Sequence, residues 1–182
     1  MECIGKGKAQ ARYEFGVKVS IATTNAAAPG GQFVLGARTL PGNPYDGHTL
    51  AAQIAQIAQT EQITGVTIER AYVDRGYRGH DADKTRVFVS GQKRGITPTI
   101  RRERRRRSAI EPVIGHLKSD GLLGRNFLLG TQGDATNVIF AAAGHNLRLL
   151  RAWLARLLAR LLCLLGALLQ TAVTQQPKPR PA

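Results

Sequence analysis

VTIERAYVDRGY, residues 66–77, is the stretch on which the fold turns. Val66, Ile68, Ala71, Tyr72 and Val73 make a short apolar strand that ends at Asp74, and Gly76 bends the chain at once. An acid at the carboxyl end of such a strand, beside a flexible turn, stands where open α/β sheets present reactive groups. The same aspartate could equally do no more than cap its own loop. Only a partner for Asp74 elsewhere in the chain separates the two readings.

Upstream, RYEFGVKVSIAT (12–23) alternates, with Tyr13, Phe15, Val17, Val19 and Ile21 on one face and Glu14, Lys18 and Ser20 on the other. This is the pattern of a half-buried strand. AAAPGGQ supplies turn chemistry and FVLGARTL resumes an apolar strand, so the pair predicts an antiparallel hairpin. After PGNPYDG, Leu50, Ile54, Ile57 and Ala58 are spaced by three and four and predict a helix from roughly Thr49 to Ile63, with Asp46 placed to cap it and Gly65 to close it. Downstream, RVFVS (86–90) is a shorter strand. Thr99 is placed to cap an arginine-rich helix running to about Ser119, with Pro112 an awkward interior residue that kinks it. GLLGRN is a turn, and Asp134 is placed to cap a long helix from Ala135 to about Leu169. On that helix Leu147, Leu150, Leu154, Leu157, Leu161 and Leu165 share a face suited to packing on the sheet, while Arg148, Arg151, Arg156 and Arg160 spread over the rest. The expected architecture is α/β, a mixed sheet flanked by helices, in one domain over residues 1–170 with a Pro-rich, disordered tail at 171–182.

The charge balance narrows the partners. Lys and Arg number 26 against 12 Asp and Glu, a formal charge of +14 on 182 residues, which calls for a polyanion or an anionic membrane, nucleic acid foremost. MECIGKGKAQARYEF lacks the apolar core of a signal peptide. The uncharged run LLCLLGALLQTAV is 13 residues long, short of the ~20 that span a bilayer. No membrane association is expected on that ground, although the segregated Leu and Arg of residues 147–169 also fit a helix lying on a membrane surface. Cys3 and Cys163 lack metal-ligand spacing and read as reduced thiols of a cytoplasmic protein.

The partner for Asp74 comes from RRRRSAIEPVIGHLKSD, residues 104–120. At about 100° per residue, Arg104, Arg107, Glu111 and Lys118 fall on one helical stripe. Two carboxylates brought within a few ångströms repel unless a cation lies between them. A hard dication held by acids, with bases gripping phosphates on either side, is the usual arrangement for phosphodiester chemistry. Two blander readings of the arginine run stay open: a solvated helix face with i,i+4 pairs, and a module that binds nucleic acid without catalysis.

The spacing Arg107, three residues, Glu111, six residues, Lys118 resembles the Tyr-x2-Arg-x3-Glu-x6-Lys signature of bacterial insertion-sequence transposases of the DDE class. ECIGKGKA, YEFGVKVSIATT, GNPYDGHTL and VDRGYRG resemble the catalytic core of that group in the same order, so the likeness covers roughly residues 2–152. It implies a ribonuclease-H-like fold in which three acids bind two Mg²⁺ ions that cut the element's ends and join them to target DNA. Asp74 takes the place of the second acid and Glu111 of the third, with Arg107 and Lys118 on the basic positions. Arg104 stands where the signature has tyrosine. The first acid lies in the family on the first strand, upstream of the part matching ECIGKGKA. The expectation is therefore a carboxyl-terminal part of a transposase core, inactive alone, partnered by DNA and by an upstream segment that supplies the strand, and able to form a homo-oligomer.

The other polar residues carry less. His48, His80, His116 and His145 lack ligand spacing and read as surface or hydrogen-bonding groups; Lys6 and Lys8 could touch phosphate but form no nucleotide loop. Tyr77 reads as a packing ring and Trp153 as core or interface.

Overall fold

A computed structural model describes residues 2–5, 12–26 and 31–174, without the side chains of residues 60, 61 and 171–174. Lys6, Lys8 and residues 175–182 of the expected tail lie outside the described residues; residues 171–174 continue a helix.

The architecture is mixed α/β, with short strands in three two-stranded ladders. β1 (Glu2–Gly5) and β2 (Tyr13–Gly16) pair antiparallel, as do β3 (Lys18–Thr23) and β4 (Val34–Leu40). The hairpin expected from the sequence is β3–β4, but the strand expected over residues 12–23 is cut in two. Gly16 sits at φ +142, where other residues are strained. The break swings the first half away to pair with β1, so Tyr13 and Phe15 are 64% and 72% exposed, whereas Val19 and Ile21 pack against the core.

A 3₁₀ turn, Asp46–Thr49, leads into α1 (Leu50–Thr64), and Gly65 at φ +68 ends it. Asp46 makes no capping bond; its carboxylate is instead 2.6 Å from Lys18 Nζ, a nearer and charged donor. α1 lies across β4 at Gly36, where a Cβ would stand 2.4 Å from Gln53 Nε2 and 2.9 Å from Ile57 Cγ1. β5 (Arg70–Val73) and β6 (Arg86–Val89) are parallel, with Tyr72 opposite Phe88.

The arginine-rich segment is two helices. α2 (Pro98–Arg106) and α3 (Ile110–Ser119) are separated by a 3₁₀ turn over Arg107–Ala109. The cap is Thr97, which accepts from the Ile100 amide at 3.3 Å, and not Thr99, because Pro98 occupies the first helical position. Pro112 explains the break: it has no N–H to continue the ladder, and its ring crowds the carbonyl four residues back, so a new helix starts just before it and keeps the proline in its first turn.

α4 (Gly130–Thr174) is 45 residues long, about 67 Å at the α-helical rise. It begins one turn earlier than expected, and Asp134 is not its cap but accepts from Asn126 Nδ2 at 2.6 Å. The core is where α4, α3 and β4 meet: Val138, Ala141 and Ala142 against Val113, Leu117, Val34 and Ala37. Asn146 locks the junction, accepting from the Val34 amide and donating to the Val34 carbonyl, both at 2.8 Å. His145, buried beside it, donates from Nε2 to the Gln32 carbonyl at 3.1 Å. The expected packing of the leucine face on the sheet does not occur: α4 packs on the body through the opposite side, Val138, Ala141, Ala142 and His145, and Leu147 is already 64% exposed. Leu154, Leu157 and Leu161 are 51%, 47% and 54% exposed and Trp153 is 48% exposed, because the helix is far longer than the body it crosses.

Candidate active-site cleft

Among the described residues the ladders β3–β4 and β5–β6 are not hydrogen-bonded to one another. Between them opens a cleft of about 1760 Å³. One wall includes every residue from Val17 to Thr24, and the other every residue from Arg70 to Asp74. A sheet face would contribute alternate residues; an unbroken run means that the wall is the strand edge, with its backbone N–H and C=O groups turned to the gap.

Asp74, Arg107, Glu111 and Lys118 all line this cleft. Asp74 is there because β5 ends at its mouth, and its Oδ1 accepts from the Arg75 amide at 2.8 Å, which fixes the carboxylate at the start of the 3₁₀ turn Arg75–Tyr77. Arg107 Nη2 lies 3.9 Å from the same oxygen, a loose pair with the Asp74 side chain 63% exposed. Glu111 stands in the first turn of α3, where the helix dipole favours a carboxylate, and Lys118 comes two turns later on the same side. Ile110 and Ile114 supply apolar surface between them.

The walls are tied at one end. Ser20 of β3 bonds the Tyr77 hydroxyl, and Tyr77 is held above its ordinary pKa by burial and by the negative charges of Asp46 and Asp74, against the opposing effect of the Ser20 bond. Tyr77 is thus a packing and bridging ring. Lys18 ties β3 to the segment that leads into α1, donating to the Pro44 carbonyl at 2.8 Å while it pairs with Asp46.

Arg104 is directed elsewhere: its Nη1 donates to the Gln92 carbonyl at 2.7 Å in the loop after β6. Beside it Glu103 accepts from the Tyr72 hydroxyl and lies 3.6 Å from Arg70 Nη1. Burial and the Glu103 contact push the Tyr72 phenol up to about 12. Tyr72 in turn stacks on Phe88, centroids 5.4 Å apart. Glu103 and Arg104 therefore clamp α2 onto the β5–β6 pair, which leaves Arg101, Arg102, Arg105 and Arg106 exposed on the opposite face. Periodicity alone does not single out Glu103, although a lone acid inside RRERRRR is a visible signal for an inward anchor. The outer arginines do carry a periodic signal, since their i, i+1, i+4, i+5 spacing puts them on one side.

The donor chemistry suits a hard cation. Asp74 and Glu111 offer carboxylate oxygens, and Mg²⁺ is commonly held by one or two carboxylates with water completing its shell. Among the described residues no group of three or more His, Cys, Asp or Glu side chains is gathered for a metal. His116 is committed to Asp120, 2.8 Å away, which holds that exposed carboxyl below its usual range. Comparison with protein-family models, with curated proteins and with solved structures finds no match to this chain.

Proposed function

We propose that this chain carries part of the catalytic core of a DDE-class transposase: a ribonuclease-H-like domain that acts on DNA through Mg²⁺, with Asp74 and Glu111 as two of its acids. The observation that carries the reading is that Asp74, from the end of a strand, and Glu111, from a helix 37 positions further on, open into one cleft together with Arg107 and Lys118. Glu2, Glu14 and Asp134 also line this wide cleft, so the support comes from the spacing of Arg107, Glu111 and Lys118 together with Asp74 at the end of its strand, and not from acidity alone. Bound Mg²⁺ would neutralise charge developing on phosphate oxygens. Arg107 and Lys118 would position the DNA backbone, and the outer face of α2, Arg101, Arg102, Arg105 and Arg106, would extend the phosphate track. Arg104 serves that track by holding α2 in place.

The cleft also accounts for how the core is completed. Both of its walls are unpaired strand edges, and an edge of that kind is filled by an added strand through main-chain hydrogen bonds. An extended apolar segment from the upstream part of the transposase, carrying the remaining acid, is the occupant. With two acids alone the second metal site lacks a ligand, so the 182-residue chain binds DNA but does not join strands.

The test is two-fold. Glu111→Ala should abolish Mn²⁺ binding measured by calorimetry while DNA affinity in EDTA is kept, and supercoiled plasmid in Mg²⁺ should stay intact with the chain alone. Mn²⁺ binding that survives Glu111→Ala sinks the catalytic-acid assignment and leaves a basic DNA-binding module. Vigorous nicking by the chain alone, lost on Glu111→Gln, sinks the incomplete-core reading.

A further inference from the structure

β5 and β6 are parallel, so both strands leave their ladder at the same edge, the edge at which open α/β sheets present ligand-binding loops. Val73 faces Val89 at the end of the ladder, and the Ser90 amide donates to the Val73 carbonyl at 2.9 Å. Asp74 and Ser90 are therefore neighbours. The segment that follows Ser90, GQKRG at residues 91–95, stands beside the proposed catalytic acid and has no part in the chemistry assigned so far.

Its shape is fixed at several points. Gly91 turns the chain at φ +89. The Gln92 amide donates to the Val89 carbonyl at 3.1 Å, and Gln92 Nε2 donates to the Arg94 carbonyl at 3.0 Å. Arg104 Nη1 reaches from α2 to the Gln92 carbonyl at 2.7 Å. Arg75, the residue after Asp74, lies against Gly91, where a Cβ would stand 3.3 Å from Arg75 Nε and 3.4 Å from its Nη2. Arg75, Lys93 and Arg94 are all exposed, and among the described residues none of them forms an ion pair with a carboxylate. Three cations gathered without counter-charge at one edge favour a bound polyanion. A loop already held in shape loses little further freedom on binding one.

We propose that loop 91–95 and Arg75 form a DNA-backbone clamp that seats phosphate beside Asp74. The clamp rests on the DNA reading given above and deepens it by naming where the backbone runs, across the carboxyl ends of β5 and β6. Its contacts are to phosphate, so it sets the position of the duplex and reads no sequence. Arg104 is a positioning residue: its bond to the Gln92 carbonyl sets the loop, which gives the arginine at the signature's tyrosine position work of its own.

The experiment is fluorescence anisotropy of the full chain with a labelled duplex in EDTA over a series of salt concentrations. Lys93→Ala with Arg94→Ala should lower the slope of log Kobs against log salt by about two, at ~0.9 for each phosphate no longer neutralised. An unchanged slope overturns the clamp and spares the wider DNA reading if Arg105→Ala with Arg106→Ala still lowers it; a wild-type chain without DNA affinity overturns both. Location is read from Asp74→Asn, which should tighten metal-free binding about fivefold by removing a charge next to a phosphate. That gain should fall below twofold in the Lys93→Ala, Arg94→Ala background and persist in the Arg105→Ala, Arg106→Ala background. An equal gain in both backgrounds overturns the clamp, because the loop's phosphates then lie away from Asp74. Arg104→Met should lower the slope as the loop variant does, Arg104→Lys should restore it, and Arg104→Met added to the loop variant should lower it no further. An unchanged slope in Arg104→Met, or a further fall in the combined variant, overturns the positioning role.

Discussion

Replacing Glu111 by glutamine should tighten DNA binding when no metal is present and should remove the advantage that Mg²⁺ gives the wild-type protein. The reasoning starts from the cleft, where Glu111 and Asp74 carry negative charge beside Arg107 and Lys118, the bases that the proposed function assigns to phosphates. A unit charge about 6 Å from a phosphate costs roughly 0.7 kcal/mol in water and roughly 3 kcal/mol at an effective dielectric constant of 20. Glu111 is exposed, so the lower end applies. Removing it should gain about 1 kcal/mol, near fivefold in Kd in EDTA. With Mg²⁺ at matched ionic strength the wild-type carboxylates are neutralised by the ion and the variant lacks a ligand, so the fivefold ratio should shrink to unity or invert. Fluorescence anisotropy with a labelled duplex measures both ratios. A ratio that stays the same with and without Mg²⁺ would refute the idea that this carboxylate holds a metal next to DNA.

Other residues give independent tests. Arg105→Glu with Arg106→Glu should lower the slope of log Kobs against log salt by about two, at ~0.9 for each phosphate no longer neutralised, whereas a pure solvated face would leave the slope unchanged. Asn146→Ala should destabilise the fold by about 2–4 kcal/mol in urea titrations, because it strands the amide and carbonyl of buried Val34 together; a loss under 1 kcal/mol would mean that water replaces both bonds. Gly36→Ala should cost about 1–3 kcal/mol, since the new methyl meets Gln53 and Ile57 of α1. Tyr72 gives a pH signature. Its folded pKa is raised from 10.0 to about 12, so its contribution is complete below pH 10 and is lost as pH climbs toward 12, when the unfolded chain ionises first. Tyr72→Phe should lack that alkaline loss.

The sequence carried the elements that obey local rules. The three-four spacing and Gly65 set α1, and the apolar run ending in Asp74 set β5, because periodicity and turn chemistry act over a few residues. The errors sit where a distant group outbids a local one. Asp46 and Asp134 are good caps by type, yet Lys18 and Asn126 take their carboxylates. Tyr13 and Phe15 alternate as a buried face should, yet Gly16 detaches their strand from the core. Pro112 is visible as a disturbance, but periodicity alone does not say whether a helix bends or restarts there. The restart is what parts Arg104 from the stripe and leaves Arg107, Glu111 and Lys118 in the cleft. Glu103 is legible in principle; recognising it requires knowing that Tyr72 stands opposite.

The distribution of packing explains why the cleft can accept a partner. One wall, β3–β4, belongs to the unit made rigid by α3, α4 and the Asn146 lock. The other wall, β5–β6, is joined internally by the stacked pair of Tyr72 and Phe88 and is held to α2 through Glu103 and Arg104. Among the described residues the polar ties inside the gap are the Ser20 bond to Tyr77 and the Arg107 pair with Asp74 at 3.9 Å; at its ends Asn25 donates to the Glu103 carbonyl, Gln32 to the Arg106 carbonyl, the Tyr45 hydroxyl to the Arg78 carbonyl, the Ala51 amide to Asp81 and the Asp81 amide to the Gly47 carbonyl. Ser20 is buried, whereas the Arg107 pair, with the Asp74 side chain 63% exposed, contributes little to stability; between the tied ends the two facing strand edges keep unmet hydrogen-bonding capacity. A strand entering between them would satisfy both edges at once and would bring β3 and β5 into one sheet. It would also fix Asp74 relative to Glu111, a relation that the loose arginine contact holds only weakly in the chain as it stands. Completion of the sheet and organisation of the acids are, on this geometry, a single event.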